Sequence, residues 1–220
     1  MFMMEEGLLN PQELQRVATI CRQGKFQDGR SSNPHNTTKI SSIGDMTDPL
    51  MLEAAQICTT AIQRNERVRN FVLPTRIAPP SPGRYGVGGK YGAHVDAALM
   101  TTDGPPMRSD VSCSIFISDP ASYQGGELII YLGDEVVGVK GKPGSAIFYP
   151  STTLHQVNAV SAGERLVMLT FIESAIADPQ QRELLYALEE VRAREGLKID
   201  WSSRVRLEFV RENLIRMWKS

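Results

Sequence analysis

Few residues in this chain are suited to chemistry, and their spacing is informative. Three histidines occur in 220 residues, His35, His94 and His155. His94 stands two positions before Asp96 in Tyr91-Gly-Ala-His-Val-Asp96, a stretch with strand character. Alternate side chains of a strand share a face, so His94 and Asp96 project together. His155 enters a second strand-like run and completes a set of two imidazoles and one carboxylate. Such a set fills one face of an octahedral metal and leaves the opposite positions open. Fe(II) fits it, and zinc could take the same ligands, because affinity alone does not favour iron. Arg165, ten residues after His155, is a fixed cation whose fork suits a carboxylate. His35 has no ligand-type neighbour and reads as exposed.

With Arg165 in place, the set resembles the iron- and 2-oxoglutarate-dependent dioxygenases. The surrounding sequence is similar to the PKHD-type hydroxylases of the prolyl 4-hydroxylase superfamily. The phrases that carry the likeness are Arg84-Tyr85, Tyr91-Gly-Ala-His-Val-Asp96, Met107-Arg-Ser-Asp110, Gln124-Gly-Gly-Glu-Leu128, Tyr149-Pro-Ser-Thr152, Gly163-Glu-Arg165 and Asn213-Leu-Ile-Arg-Met-Trp218. Together they cover most of the chain, most specifically residues 73 to 175.

The resemblance implies a double-stranded β-helix, a cupin-like jelly roll, with Fe(II) on His94, Asp96 and His155 between two sheets. It implies 2-oxoglutarate as co-substrate, its distal carboxylate held by Arg165 and hydrogen-bonded by Tyr85, with O2 and ascorbate completing the small molecules. The activity would be hydroxylation of an unactivated C–H bond with release of succinate and CO2, on a prolyl residue or an amino-acid-like substrate. Tyr91 and Arg108 are candidate substrate contacts, although strand parity lets Tyr91 face elsewhere than His94 and serve as a core residue. The family commonly has Asn where this chain has Ala97, which bears on substrate contacts near the metal. A cupin that binds metal and 2-oxoglutarate as a sensor, without catalysis, is the other reading.

The formal net charge of -1 gives no electrostatic argument for nucleic acid or an anionic membrane. No run of about eighteen apolar residues or signal-type start is present, so a cytoplasmic protein is expected, with a small molecule, peptide or protein as substrate. Three cysteines without a CxxC pair read as buried thiols, with a Cys21–Cys58 bridge as the alternative.

The predicted elements form mainly β structure with flanking helices. Asn10-Pro-Gln-Glu13 opens a helix that Gly24 stops, and Asp48-Pro49 opens a second. Short strands follow at Val72–Ala78, Tyr91–Ala98, Val111–Ser118, Glu127–Leu132, Glu135–Lys140, Ser145–Tyr149, His155–Val160 and Arg165–Glu173, with a tight hairpin at Gly133-Asp134. Residues 1–175 are expected to form the dioxygenase domain and 176–220 a helical extension with apolar faces on Leu184, Leu185, Leu188 and Val191 and on Val205, Phe209, Leu214, Ile215 and Met217. Met100 to Asp110 breaks the β pattern after the His94 strand, and its Asp103-Gly104 turn and Pro105-Pro106 suggest a substrate-selecting lid.

Overall fold

The computed structural model describes residues 1–101 and 104–219. Its helices are α1 (Pro11–Gln23), α2 (Pro49–Arg64), α3 (Glu66–Val72), α4 (Pro179–Glu195) and α5 (Trp201–Trp218). The strands run β1 (Met3–Glu5), β2 (Phe26–Asp28), β3 (Ser42–Gly44), β4 (Pro74–Ile77), β5 (Ser81–Tyr85), β6 (Tyr91–His94), β7 (Leu99–Met100) and β8 (Met107–Arg108). They continue as β9 (Val111–Phe116), β10 (Gln124–Gly125), β11 (Leu128–Leu132), β12 (Glu135–Val139), β13 (Ala146–Pro150), β14 (His155–Val157), β15 (Val160–Ala162) and β16 (Arg165–Ser174).

The helix starts follow from their caps. The Asn10 side chain accepts from the Gln12 and Glu13 amides while Glu13 takes the Asn10 N–H, and Asp48 caps α2. Asn65 caps α3, which takes only Val72 from the expected Val72–Ala78 strand; the helix ends when Leu73 turns left-handed, and the strand follows as β4.

Strands β1-β13-β9-β16-β5-β3-β2 form the larger sheet, with β4 also on β16, and β12-β11-β14-β6 form the smaller one. The Gly133-Asp134 hairpin joins β11 to β12 as expected, with Leu132 opposite Glu135. Two sheets of short antiparallel strands give the expected jelly roll. β5 was missed because Pro82 argues against a strand interior. Here β5 pairs with both β16 and β3, and Met168 and Pro82 are opposed in the register.

Strand parity divides the interior into two cores. Val111, Cys113 and Ile115 of β9, with Leu166 and Met168 of β16, join Ile20, Met51, Cys58 and Ile62 beneath the helices. Fully burying such an aliphatic side chain is worth roughly 1.5–3 kcal/mol. The opposite parity, Phe116 and Val167, joins Tyr85, Ile147 and Tyr149 against Leu128, Ile130 and Val157 of the smaller sheet. Arg165 has the parity of Val167 and therefore projects between the sheets.

The C-terminal helices are stitched to this body. Tyr186 meets Phe71 edge-on at 5.2 Å, and Arg182 donates to the Asp110 carbonyl. α4 buries Arg182, Leu185, Tyr186 and Glu189, whereas Leu184 and Val191 of the expected apolar face lie exposed. Phe209 and Met217 of α5 are exposed too. Arg211 and Arg192 both pair with Glu189, so buried ionic contacts displace some of the apolar packing that periodicity suggested. Among the described residues no helix is long and apolar enough to cross a membrane. All three cysteines are free and buried, without a Cys21–Cys58 bridge.

Candidate metal and co-substrate site

His94 closes β6 and lies opposite His155, the first residue of β14. Asp96 lies beyond the strand, which stops four residues short of the expected Ala98. Alternation nevertheless persists: Val95 is 51% exposed while the His94 and Asp96 side chains are 9% and 11% exposed. One ligand atom from each of His94, Asp96 and His155 lies within 4.8 Å of the others. His94 Nε2 is 3.8 Å from Asp96 Oδ1, and His155 Nε2 is 3.7 Å from Asp96 Oδ2.

The backbone fixes the tautomers. His94 Nδ1 lies 2.8 Å from the Gly92 carbonyl and His155 Nδ1 2.9 Å from the Thr153 carbonyl. A carbonyl can only accept, so each Nδ1 carries the proton and each Nε2 keeps its lone pair facing the cluster. Burial, and then the nearby His155, lowers the His94 pKa and favours the neutral ring that a metal needs. The site could hold a divalent cation with two nitrogens and a carboxylate oxygen, and the donor set fits iron.

Three serines support the carboxylate, and sequence reasoning assigned none of them a role. Ser112 Oγ donates to Asp96 Oδ2 at 2.5 Å. Ser151 lies 2.8 Å from Ser112 and receives a hydrogen bond from Ser109 at 2.9 Å. Two of them stood inside the phrases Met107-Arg-Ser-Asp110 and Tyr149-Pro-Ser-Thr152. The available signal for the third was a small polar residue at an inward position of a buried strand.

Arg165 is 1% exposed, and its Nε and Nη1 have no hydrogen-bond partner among the described residues. It stands opposite Tyr85 in the register, its Cζ 5.0 Å from that ring. The phenols of Tyr85 and Tyr123 border the guanidinium; burial raises both their pKa values against the pull of the Arg165 charge. Buried cationic donors without acceptors are costly unless a ligand supplies an anion, and a dicarboxylate co-substrate fits that need. Gly126, at φ +68°, makes room: a Cβ there would lie 3.2 Å from Arg165 Cδ.

Tyr91 is not turned away from His94. Their rings stack at 3.6 Å and 18°, because the four residues Tyr91–His94 of β6 lie opposite the three residues His155–Val157 of β14, a bulge that returns Tyr91 to the His94 face. Arg108 meets Asp110 at 3.2 Å, Glu173 at 3.6 Å and the Ser174 carbonyl at 2.8 Å, so a substrate contact would require it to leave these partners. The Met100–Asp110 segment is in part a ribbon, with β7 paired to β8. The expected Asp103-Gly104 turn includes Asp103, outside the described residues. His35 is exposed.

A jelly roll carrying this His-Asp-His cluster is the architecture of the 2OG-Fe(II) oxygenase superfamily, whose family model matches residues 81–173. The enzyme is accordingly an oxidoreductase of the dioxygenase class.

Within that class the chain belongs to the PKHD-type hydroxylases. It is 43% identical over 213 residues to one from Sphingopyxis alaskensis, covering 96% of this chain and 97% of that one. A second, from Thermosynechococcus vestitus, is 35% identical over 226 residues, covering 99% of each. Solved structures share the fold at lower identity. A Pseudomonas putida prolyl-4-hydroxylase superposes with TM-score 0.57 at 19% identity, over 79% of this chain and 92% of that one. HygX from Streptomyces hygroscopicus, solved with nickel, 2-oxoglutarate and hygromycin B, gives TM-score 0.55 at 13% identity, over 80% and 84%.

Proposed function

We propose that this hydroxylase holds Fe(II) on His94, Asp96 and His155 and binds 2-oxoglutarate through Arg165 and Tyr85. It would use O2 to convert a C–H bond to C–OH, with succinate and CO2 as co-products. The substrate class is a prolyl residue or an amino-acid-like molecule. The observation that carries this reading is Arg165, a buried guanidinium with two donor nitrogens that find no acceptor among the described residues, set against Tyr85 in the inter-sheet core that also meets His155 through Tyr149.

The metal, when bound, supplies the redox chemistry that couples O2 to decarboxylation of the co-substrate. The chain supplies position. Arg165 clamps one carboxylate of 2-oxoglutarate in a forked, charge-assisted contact while the Tyr85 hydroxyl donates to it, fixing the reactive end before O2 enters. Ser112 restrains Asp96, and the Gly92 and Thr153 carbonyls hold both imidazoles in the ligating tautomer. The buried faces of Tyr85, Tyr149 and Val167 limit water around the reacting groups.

The test is turnover with Fe(II), ascorbate and 2-oxoglutarate against a panel of Pro-containing peptides and free amino acids. Hydroxylated product should accumulate in step with succinate for at least one compound and vanish in His94→Ala. Iron-loaded protein that makes no succinate above the His94→Ala background across the panel would sink the proposal.

A further inference from the structure

The inter-sheet site has a second buried cation beside it. Lys39 lies in the segment between β2 and β3 and is only 8% exposed, while the next residue, Ile40, is 53% exposed. The segment thus buries its lysine and leaves its isoleucine in solvent, against the ordinary preference of both side chains. Two contacts enforce this orientation. Ile40 and Lys90 exchange backbone hydrogen bonds at 2.8 Å, and Thr38 Oγ1 accepts from the Gly92 amide at 3.1 Å. Gly92 permits that approach, since a Cβ there would lie 2.2 Å from Thr38 Oγ1.

The buried ammonium has little to satisfy it. Nζ donates to Ser32 Oγ at 2.6 Å and sits 4.5 Å from the centre of the Tyr91 ring. No carboxylate pairs with it among the described residues. Its charge nonetheless reaches the ligand cluster: Tyr91 stacks on His94, and burial lowers the Lys39 pKa while the charges of Asp96 and then Asp28 offset part of that lowering. An ammonium has three donors, and one hydroxyl and a ring face leave capacity unused.

Charge balance indicates what would use it. A divalent metal and the Arg165 cation are neutralised by the Asp96 carboxylate and a dicarboxylate co-substrate. Lys39 is then a positive charge without an ion-pair partner among the described residues, at the edge of the site on the Tyr91–His94 side rather than the Arg165 side; Asp28, the other carboxylate whose charge reaches it, is already paired with Arg30 at 2.9 Å.

We propose that Lys39 recognises a carboxylate on the molecule to be hydroxylated, making the substrate class a carboxylate-bearing compound. This rests on the proposed 2-oxoglutarate-dependent reaction and narrows its substrate. The carboxylate can belong to a free acid or to an acidic side chain in a peptide, and Lys39 reads the same group in either.

The experiment uses the full chain loaded with Co(II) and 2-oxoglutarate under anaerobic conditions, so that binding is read without turnover. Two probe pairs are titrated: N-acetyl-L-proline against its amide, and a blocked Pro-Glu dipeptide against its Pro-Gln counterpart. Paramagnetic relaxation of the probe protons by Co(II) reports binding near the metal. At least one carboxylate probe should bind about tenfold or more tighter than its uncharged partner, the pair concerned identifying the source of the carboxylate. Lys39→Gln should erase the preference and Lys39→Arg should retain most of it, both with thermal unfolding and 2-oxoglutarate affinity close to wild type. Equal binding within both pairs, or no binding of any probe, overturns the proposal. So does a Lys39→Gln protein that loses 2-oxoglutarate affinity, which would assign the lysine to the co-substrate. Wild-type protein that fails to bind 2-oxoglutarate at all would instead refute the underlying reaction.

Discussion

Ser112 Oγ donates to Asp96 Oδ2 at 2.5 Å, tying β9, an inner strand of the larger sheet, to the carboxylate that follows β6 of the smaller one. The hydroxyl is itself aligned by Ser151. A carboxylate held on one oxygen presents a defined geometry to a cation, which is why outer partners commonly alter metal affinity.

Ser112→Ala should therefore weaken metal binding about 10–100-fold, the usual range for losing such a support. Competitive titration with a metal-binding dye gives the affinity, and thermal unfolding of the metal-free protein serves as the control. Unchanged affinity would make the serine chain an element of packing only.

Gly126 joins backbone freedom to space for Arg165. Gly126→Ala should cost about 1–3 kcal/mol of stability from the left-handed backbone alone. It should also weaken 2-oxoglutarate binding, because the new methyl would meet Arg165 Cδ, Val160 Cγ2 and Tyr123 Cε2 at 3.0 to 3.2 Å. Denaturant unfolding and a 2-oxoglutarate titration measure the two effects separately.

The cysteines should be silent in the native state. Burial pushes the Cys21 thiol up to about 11 and raises Cys58 and Cys113 as well. A raised folded pKa means that this stabilisation is complete below the unfolded value, about 8.5, and is lost as pH rises through the folded one. Thiol-specific reagent at pH 8 should label none of the three until denaturant is added, and stability should decline from about pH 8.5 towards 11. Rapid native labelling would contradict the burial.

Much of this was legible in the sequence. The caps at Asn10 and Asp48 are local chemistry, and the Gly133-Asp134 hairpin is set by its own two residues. Arg165 was readable because a charge amid Leu166, Val167 and Met168 on a strand needs an explanation. Other features depend on contacts distant along the chain. Tyr91 faces His94 because of a bulge against β14, which no reading of β6 alone supplies. β5 is a strand despite Pro82 because β16 and β3 flank it. Leu184 looked like a core residue by helical spacing, yet α4 turns Arg182 and Glu189 inward to ionic and carbonyl partners. Lys39 lay in a polar segment where a lysine gives no sign of being buried.

The most direct test of the account is calorimetric titration of 2-oxoglutarate into anaerobic Fe(II)-loaded protein, comparing wild type with Arg165→Ala. Losing one member of a buried charged pair costs about 3–5 kcal/mol, so affinity should fall at least about 100-fold in the variant. Wild-type binding should also require the metal and disappear in His155→Ala. Equal 2-oxoglutarate affinity in wild type and Arg165→Ala, or wild-type binding that is indifferent to metal, would contradict the account.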